Sequence, residues 1–326
     1  MTHVTLRPAF EELIDPYAPV GQVGTGFDFT EGPIWHPADQ YLLFSDMPAD
    51  VRRRWDSKRG VTEARREVGS ILGHVLGRDR SFILTHADDL LEPEQSETFQ
   101  KLLNRRANGE PLQYLTGHQE FFGLDFEVSP EVLIPRPETE LLVETALKLV
   151  NTNDAIFCDV GTGSGCITIS LLNKWPAARA VGLDISPGAL TVAQRNASYH
   201  GVADRVQFLV SDCFEAINDT HRSTFDLIVS NPPYVETSNR DSLQREVRDF
   251  EPHSALFAGA DGLSVIRRLL IEAGSFLKAD GFFIFEIGFN QAAAVEGLID
   301  HDRWRLLGIY DDLQGIPRTI ALQKLS

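Results

Sequence analysis

The chain has 326 residues, 43% hydrophobic and 24% charged, with a formal net charge of −17 at pH 7. That length can bury one large core and a smaller second one, while the acidic balance opposes non-specific attraction to phosphate backbones and disfavours nucleic acid as a substrate, short of a local basic face. With no run near ~20 uninterrupted apolar residues, no basic-then-apolar leader in MTHVTLRPAFEELIDP, no CxxC spacing among Cys158, Cys166 and Cys213, and nine scattered histidines, the expectation is a cytoplasmic chain with no membrane span, disulfide framework or metal site, its cysteines buried as small apolar side chains.

The opening stretch, residues 1–66, is set apart from the rest of the chain. Short apolar runs separated by turn residues, Gly26 to Pro37, Tyr41 to Asp50 and Arg52 to Asp56, predict β-structure. The stretch resembles the opening of the gluconolactonase-like β-propellers, in which a Glu at the position of Glu31 would be a metal ligand. The likeness ends near Arg66, and one partial blade has no neighbours to bury its faces, so a working propeller cannot be built from it. An appended segment is the expectation.

From Glu67 the periodicity is helical: Val68, Ile71, Leu72, Val75 and Leu76 share a face, and Gly77 comes next as a stop. A second helix is predicted from Pro93, a favourable first helical position, through Phe99, Leu102 and Leu103 to Gly109. These pieces define a small helical domain, residues 67–115. Next, Phe121 and Phe122, then Phe126 and Val128, flank Gly123, Leu124 and Asp125 as a β-hairpin, making residues 116–134 an ordered linker. IPRPETE then enters a helix through Leu141, Leu142, Val143 and Leu147. Arg136, Glu138 and Glu140 either orient the linker or cap that helix.

Residues 135–326 alternate strand and helix in the manner of a parallel sheet covered on both faces. Strands are predicted near Ala155 to Val160, Ala180 to Asp184, Val206 to Val210, Phe225 to Ser230 and Gly281 to Ile287. Two more, near Trp304 to Tyr310 and Pro317 to Gln323, are joined by a connection too short for a crossover helix and must pair antiparallel. The fold class is therefore α/β, with a smaller N-terminal helical domain and a β-hairpin linker, and five parallel strands closed by an antiparallel pair resemble in outline a seven-stranded Rossmann-like methyltransferase sheet.

The chemistry gathers at the carboxyl ends of these strands, where ligands bind in open α/β sheets. DVGTGSG puts Gly161, Thr162, Gly163, Ser164 and Gly165 at the first strand end, where missing side chains let the backbone approach a ligand. Alone, such a loop is equally a tight strand-to-helix turn. About twenty residues on, Asp184 ends the second strand, where a carboxylate can accept both hydroxyls of a ribose; an N-cap acid is the plainer alternative. The third strand delivers Asp212, able to reach an adenine amine, with Cys213 or Phe214 bordering the ring. The fourth ends in Asn231, Pro232, Pro233 and Tyr234. Two successive prolines fix φ and leave their carbonyls free to accept. An Asn oxygen beside one such carbonyl can accept both hydrogens of a planar NH2 group, although a proline turn that merely ends a strand has the same letters.

DVGTGSG, the acid of GLDIS, SDCF and above all NPPY with the upstream EFFGLDFEVSPEVLIPRPETE resemble the HemK-type glutamine methyltransferases that modify peptide-chain release factors. The resemblance runs from Glu67 to the C-terminus. It implies S-adenosylmethionine as cofactor, held by Gly161 to Gly165, Asp184, Asp212, Cys213 and Asn231. It implies the glutamine of a release factor Gly-Gly-Gln loop as substrate, held by Asn231 to Tyr234, with Asn231, Pro232 and Tyr234 catalytic and Tyr234 packed on the substrate amide. Phe121 or Phe122 either closes the site or fills the hairpin core. The chain departs from the family at Cys213, where Trp is common, and in having the propeller-like segment where the family's first helix would be. NPPY is shared with enzymes that methylate exocyclic amines of RNA or DNA, which remains one alternative. A cofactor-binding protein that has lost catalysis is another.

Overall fold

The computed structural model describes residues 34–36, 41–46, 51–56, 61–86, 89–217 and 221–325. They form two compact units, residues 1–116 and 117–326. Glu31 lies outside the described residues. In the first unit, β1 (Ile34–His36), β2 (Tyr41–Asp46) and β3 (Val51–Asp56) make a small antiparallel sheet, the β-structure predicted there.

Helix α1 (Val61–Leu76) begins six residues ahead of the periodicity read from Glu67, and Gly77 terminates it with φ +60°. A short α2 (Arg80–Thr85), not anticipated, is capped by Asp79, whose carboxylate accepts the Phe82 N–H at 2.8 Å. Helix α3 (Pro93–Ala107) starts at the predicted proline, and α4 (Leu112–Thr116) comes after it. Ile71, Phe99, Leu102, Leu103 and Leu115 form the core of these helices. Beside it, Arg106 on α3 makes two 2.8 Å hydrogen bonds to the Glu67 carboxylate on α1, a buried pair whose loss on one side alone would strand a charge.

The second unit opens with the hairpin of β4 (His118–Phe121) and β5 (Leu124–Glu127). Its turn is tighter than predicted. Leu124 and Asp125 belong to the second strand, and the loop is Phe122-Gly123, both at positive φ (54° and 75°), as a two-residue hairpin with the right twist requires. Phe121 and Phe126 are fully buried with their rings edge to face, so hairpin packing is the role of Phe121, and neither Phe121 nor Phe122 lines the cleft at the edge of the large sheet.

Helix α5 (Glu140–Leu149) leads into β6 (Ile156–Val160), α6 (Cys166–Lys174), β7 (Arg179–Asp184), α7 (Pro187–Tyr199), β8 (Val206–Val210) and β9 (Phe225–Ser230). Then come α8 (Arg245–Phe250), α9 (Ser264–Glu272), β10 (Leu277–Glu286), α10 (Ala292–Glu296), β11 (Trp304–Asp311) and β12 (Pro317–Lys324). The sheet order is β11-β12-β10-β9-β6-β7-β8; β12 runs antiparallel to both its neighbours, and the strands from β10 to β8 are parallel.

Successive side chains on each strand enter opposite cores. Cys158, Ile228, Phe283 and Phe285 pack into one, and Phe157, Leu227, Val229 and Ile284 into the other. This is why these strands read as unbroken apolar runs instead of alternating ones. Cys158, Cys166 and Cys213 are all buried, as expected of them.

Gly182 in β7 shows how closely the sheet is filled. A Cβ there would sit 2.5 and 2.6 Å from Phe208 Cδ1 and Cε1. Its φ is ordinary, so the constraint is space alone. Gly182→Ala is expected to cost ~1–3 kcal/mol by overpacking, read as a lower denaturant midpoint at unchanged slope. A midpoint equal to the wild type's would show that the neighbouring ring yields freely.

Candidate active site

A cleft of about 1200 Å³, its open mouth included, lies along the carboxyl ends of β6, β7, β8 and β9. Its floor is the glycine loop. Gly161, Gly163 and Gly165 all take positive φ (77°, 56° and 81°), and the Gly161 and Thr162 N–H groups donate to the Leu183 carbonyl at 2.8 and 2.9 Å, tying the loop to the end of β7. Nothing lies within 4 Å of where a Gly163 Cβ would point, so this backbone stays bare and approachable. Gly165 does something else. It caps α6 away from the cleft, and a Cβ there would lie 3.3 Å from that of Ala193 on α7, so it serves close helix packing.

Asp159 anchors the loop from below. Its Oδ2 accepts the hydroxyls of Thr162 at 2.8 Å and Thr168 at 2.7 Å, while Oδ1 has no partner among the described residues. Burial outweighs the two hydroxyl bonds and pushes its carboxyl up to about 6. Asn196 on α7 fastens the loop to the hairpin, donating to the carbonyls of Ser164 (2.9 Å) and Glu127 (3.0 Å) and accepting the Glu127 N–H (2.8 Å). The linker is thus ordered, as expected, and the sequence carried no signal for this side chain.

Asp184 accepts one backbone N–H on each oxygen, from Gly163 at 2.8 Å and from Ser186 at 2.9 Å. Burial raises its carboxyl and these bonds oppose the shift. Each oxygen keeps a lone pair, so the side chain can still receive two hydroxyls from the cleft that it lines. Ser186 caps α7 by accepting the Ala189 N–H at 3.1 Å.

Across the cleft the predictions divide. Asp212 and Cys213 both line it, Cys213 at φ +48° with its carbonyl accepting the Ser211 hydroxyl. Phe214 does not; it is buried and stacked on Phe276 with centroids 4.9 Å apart. Asp212 is already engaged, its Oδ1 2.8 Å from Arg268 on α9, a cation that also holds Glu215 and Glu272.

Asn231, Pro232 and Pro233 form the remaining wall. The Ser230 hydroxyl donates to the Val160 carbonyl at 2.7 Å, locking the ends of β9 and β6 together. Asn231 Nδ2 donates to Thr139 Oγ1 at 3.0 Å. Among the described residues no hydrogen bond takes Asn231 Oδ1 or the Pro232 carbonyl. Tyr234 occupies a place other than the expected one. It is absent from the cleft wall, and its hydroxyl donates to Glu286 Oε1 at 3.0 Å, because a carboxylate buried at the end of β10 demands donors. The Tyr234 carbonyl is held by Gln291 Nε2 at 3.0 Å, which pins the loop from the other side.

Arg136 and Glu140 orient the linker. Arg136 pairs with the buried Glu251, which also accepts the Ile134 N–H, and Glu140 Oε1 accepts the Phe122 N–H of the hairpin turn at 2.8 Å. Sequence reasoning missed Thr139, Glu251, Glu286 and Gln291. Thr139 stood inside IPRPETE, and Glu286 was visible as an acid closing an apolar strand at this edge.

Bare glycine backbone, an acid with two open lone pairs and a pair of unclaimed oxygens on one sheet edge define an S-adenosylmethionine-dependent methyltransferase, and the residues present fit that cofactor. Residues 57–117 match the PrmC N-terminal domain family and residues 137–248 the methyltransferase small domain. The release factor glutamine methyltransferase of Koribacter versatilis is 43% identical over 76% of this chain and 87% of its own, and that of Geobacter sulfurreducens 42% identical over 83% and 94%. The chain belongs to the release factor glutamine methyltransferase family. The fold is shared with the catalytic domain of hMettl16, solved in complex with the MAT2A 3'UTR hairpin 6, at a TM-score of 0.50 and 15% identity over 72% of this chain and 82% of that one. Among the described residues no helix is long and apolar enough to cross a membrane.

The buried Asp159 carries a pH signature. Its folded pKa lies above the ordinary value of an unfolded Asp, so it contributes stability that is fully present below about 4 and lost as pH rises through about 6. Asp159→Asn lacks that titration. The melting temperature of the wild type relative to this variant is expected to rise as pH falls from 7 to 4, and a difference that stays flat over that range contradicts the shift.

Proposed function

We propose that this chain transfers a methyl group from S-adenosylmethionine to the side-chain amide nitrogen of the glutamine in the Gly-Gly-Gln loop of a peptide chain release factor, in the cytoplasm. The observation that carries the reading is the pair of unclaimed acceptors, Asn231 Oδ1 and the Pro232 carbonyl, on the wall of a cleft floored by bare glycine backbone. A planar amide NH2 has two hydrogens to place, and two fixed oxygens receive both.

S-adenosylmethionine, when bound, supplies an electrophilic methyl on a sulfonium. Gly161 to Ser164, Asp184, Asp212 and Cys213 are the residues that would hold it. An amide nitrogen is a poor nucleophile because its lone pair is delocalised into the carbonyl. Asn231 and Pro232 fix the plane of that nitrogen, and their oxygens stabilise positive charge as it develops on the N–H groups. Both acceptors are held before substrate arrives: Asn231 through Thr139, and the Pro232 backbone by its own ring and its proline neighbour. Tyr234 supports the loop from behind through Glu286.

The two units divide the work. Residues 61–116 are a helical unit for gripping the protein substrate, and residues 117–326 carry the cleft. Residues 1–56 have no part in the reading.

Labelled S-adenosylmethionine offered with a release factor or with RNA separates the readings: label is expected in the release factor glutamine, and label in RNA sinks the proposal. Asn231→Ala is expected to lower turnover roughly 100–1000-fold, the scale of removing one preorganised polar partner, with much smaller change in S-adenosylhomocysteine affinity. Equal loss in both would contradict the role given to Asn231.

A further inference from the structure

From Asn231 and Thr139 on the cleft wall a chain of hydrogen bonds runs back to a buried acid. Glu286, fully buried at the end of β10, accepts the Thr139 hydroxyl on Oε2 at 2.6 Å and the Tyr234 hydroxyl on Oε1 at 3.0 Å. Thr139, also buried, stands 3.0 Å from Asn231 Nδ2. These residues come from three distant parts of the sequence, 92 positions separating Thr139 from Asn231 and 147 separating it from Glu286.

With Glu286 ionised, the form its two hydroxyl donors favour against burial, the direction of this chain is set. An ionised carboxylate accepts and cannot donate, so with a hydroxyl on each oxygen Glu286 requires both protons to come from its partners. Thr139 has a single O–H, and Glu286 takes it. Toward Asn231 only its lone pairs remain. The arm of the Asn231 amide that meets Thr139 must therefore be NH2, and the planar group then carries its oxygen on the opposite arm. We infer that Thr139 and Glu286 are positioning residues that fix which way the Asn231 amide faces, so that an oxygen and not an NH2 meets the substrate nitrogen.

A free asparagine side chain would sample both orientations, since oxygen and nitrogen arms have nearly the same shape. In the flipped one, NH2 faces NH2. The substrate amide then loses one of its two acceptors and can rotate out of the plane that exposes its nitrogen. The Thr139 hydroxyl, at the cleft wall, and the Glu286 carboxylate behind it remove that choice. Preorganisation of this kind acts on the chemical step and not on cofactor affinity, because Asn231 is oriented whether or not the cleft is filled.

This inference rests on the proposed glutamine methylation, and the test keeps the two apart. Thr139→Val removes the hydroxyl at nearly constant shape, Thr139→Ser keeps it, and Asn231→Ala removes the group being oriented. Turnover on a release factor, its KM, S-adenosylhomocysteine binding and melting temperature are measured for each single variant and for Thr139→Val combined with Asn231→Ala. Thr139→Val is expected to lower kcat roughly 10–100-fold, the range in which the supporting partners of metal ligands act, with KM and S-adenosylhomocysteine affinity within about 3-fold of the wild type. Thr139→Ser should restore turnover. In the Asn231→Ala background Thr139→Val should cost nothing further, since a residue that works through another has nothing left to orient.

Equal costs of Thr139→Val in both backgrounds, or a serine variant as slow as the valine one, would overturn the inference in favour of a merely structural threonine. Should Thr139→Val fail to fold, judged by lost S-adenosylhomocysteine binding, Thr139→Ala removes the same hydroxyl without a second methyl and is read through the same cycle. A wild type that leaves the release factor unmethylated sinks the functional reading and the inference together; an active wild type indifferent to Thr139 sinks the inference alone.

Discussion

The pairing of β6 with β9 is the constraint on which the site depends. The two strands run parallel and in register from Phe157 opposite Leu227 to Val160 opposite Ser230. The glycine loop and the Asn-Pro-Pro loop therefore leave the sheet side by side and in the same direction. Parallel neighbours need long crossovers, and those crossovers carry β7 and β8 outward on one side while β10 closes the other. A bond from the Ser230 hydroxyl to the Val160 carbonyl makes the junction rigid at the point where both loops begin. Slipping this pair by one residue would exchange the two cores and turn Asn231 away.

Rigidity at the edge comes with buried acids. Asp159, Asp184, Glu251 and Glu286 all have carboxyls raised by burial, and each holds a piece of backbone or a hydroxyl that shapes the cleft. Asp159 holds the underside of the glycine loop, Asp184 joins that loop to the start of α7, Glu251 holds the segment before Thr139, and Glu286 holds Thr139 and Tyr234. Unpaired carboxylates at such depth would be costly, and each donor they recruit becomes fixed in turn. The chain spends fold stability on acids whose return is orientation.

Much of this was legible in the residues. Apolar runs bounded by glycine, proline and aspartate located the strands of the large sheet within a few positions, because strands buried on both faces leave a contiguous signal. The glycine loop, Asp184 and NPP marked the edge, since each is a local device whose spacing along the chain is its geometry. What failed had a physical cause. Tyr234 was assigned to substrate from its place in NPPY, yet the demand of a buried carboxylate 52 positions away claimed its hydroxyl. Of the two residues offered for bordering the adenine, Cys213 lines the cleft, while Phe214 is drawn into the core by Phe276. The hairpin turn was set one residue too wide and one too late in starting, because a phenylalanine at positive φ is a conformation that its letter argues against.

By itself the sequence determined the strand pattern and the sheet edge at which the glycine loop, Asp184 and the Asn-Pro-Pro loop gather, because those properties reside in single segments of chain with a fixed period or fixed spacing. Only the tertiary structure decided that Asn231 turns its nitrogen to Thr139 and Thr139 its proton to Glu286. Which arm of an amide faces a ligand depends on donors and acceptors supplied from remote strands, and no local pattern records their meeting.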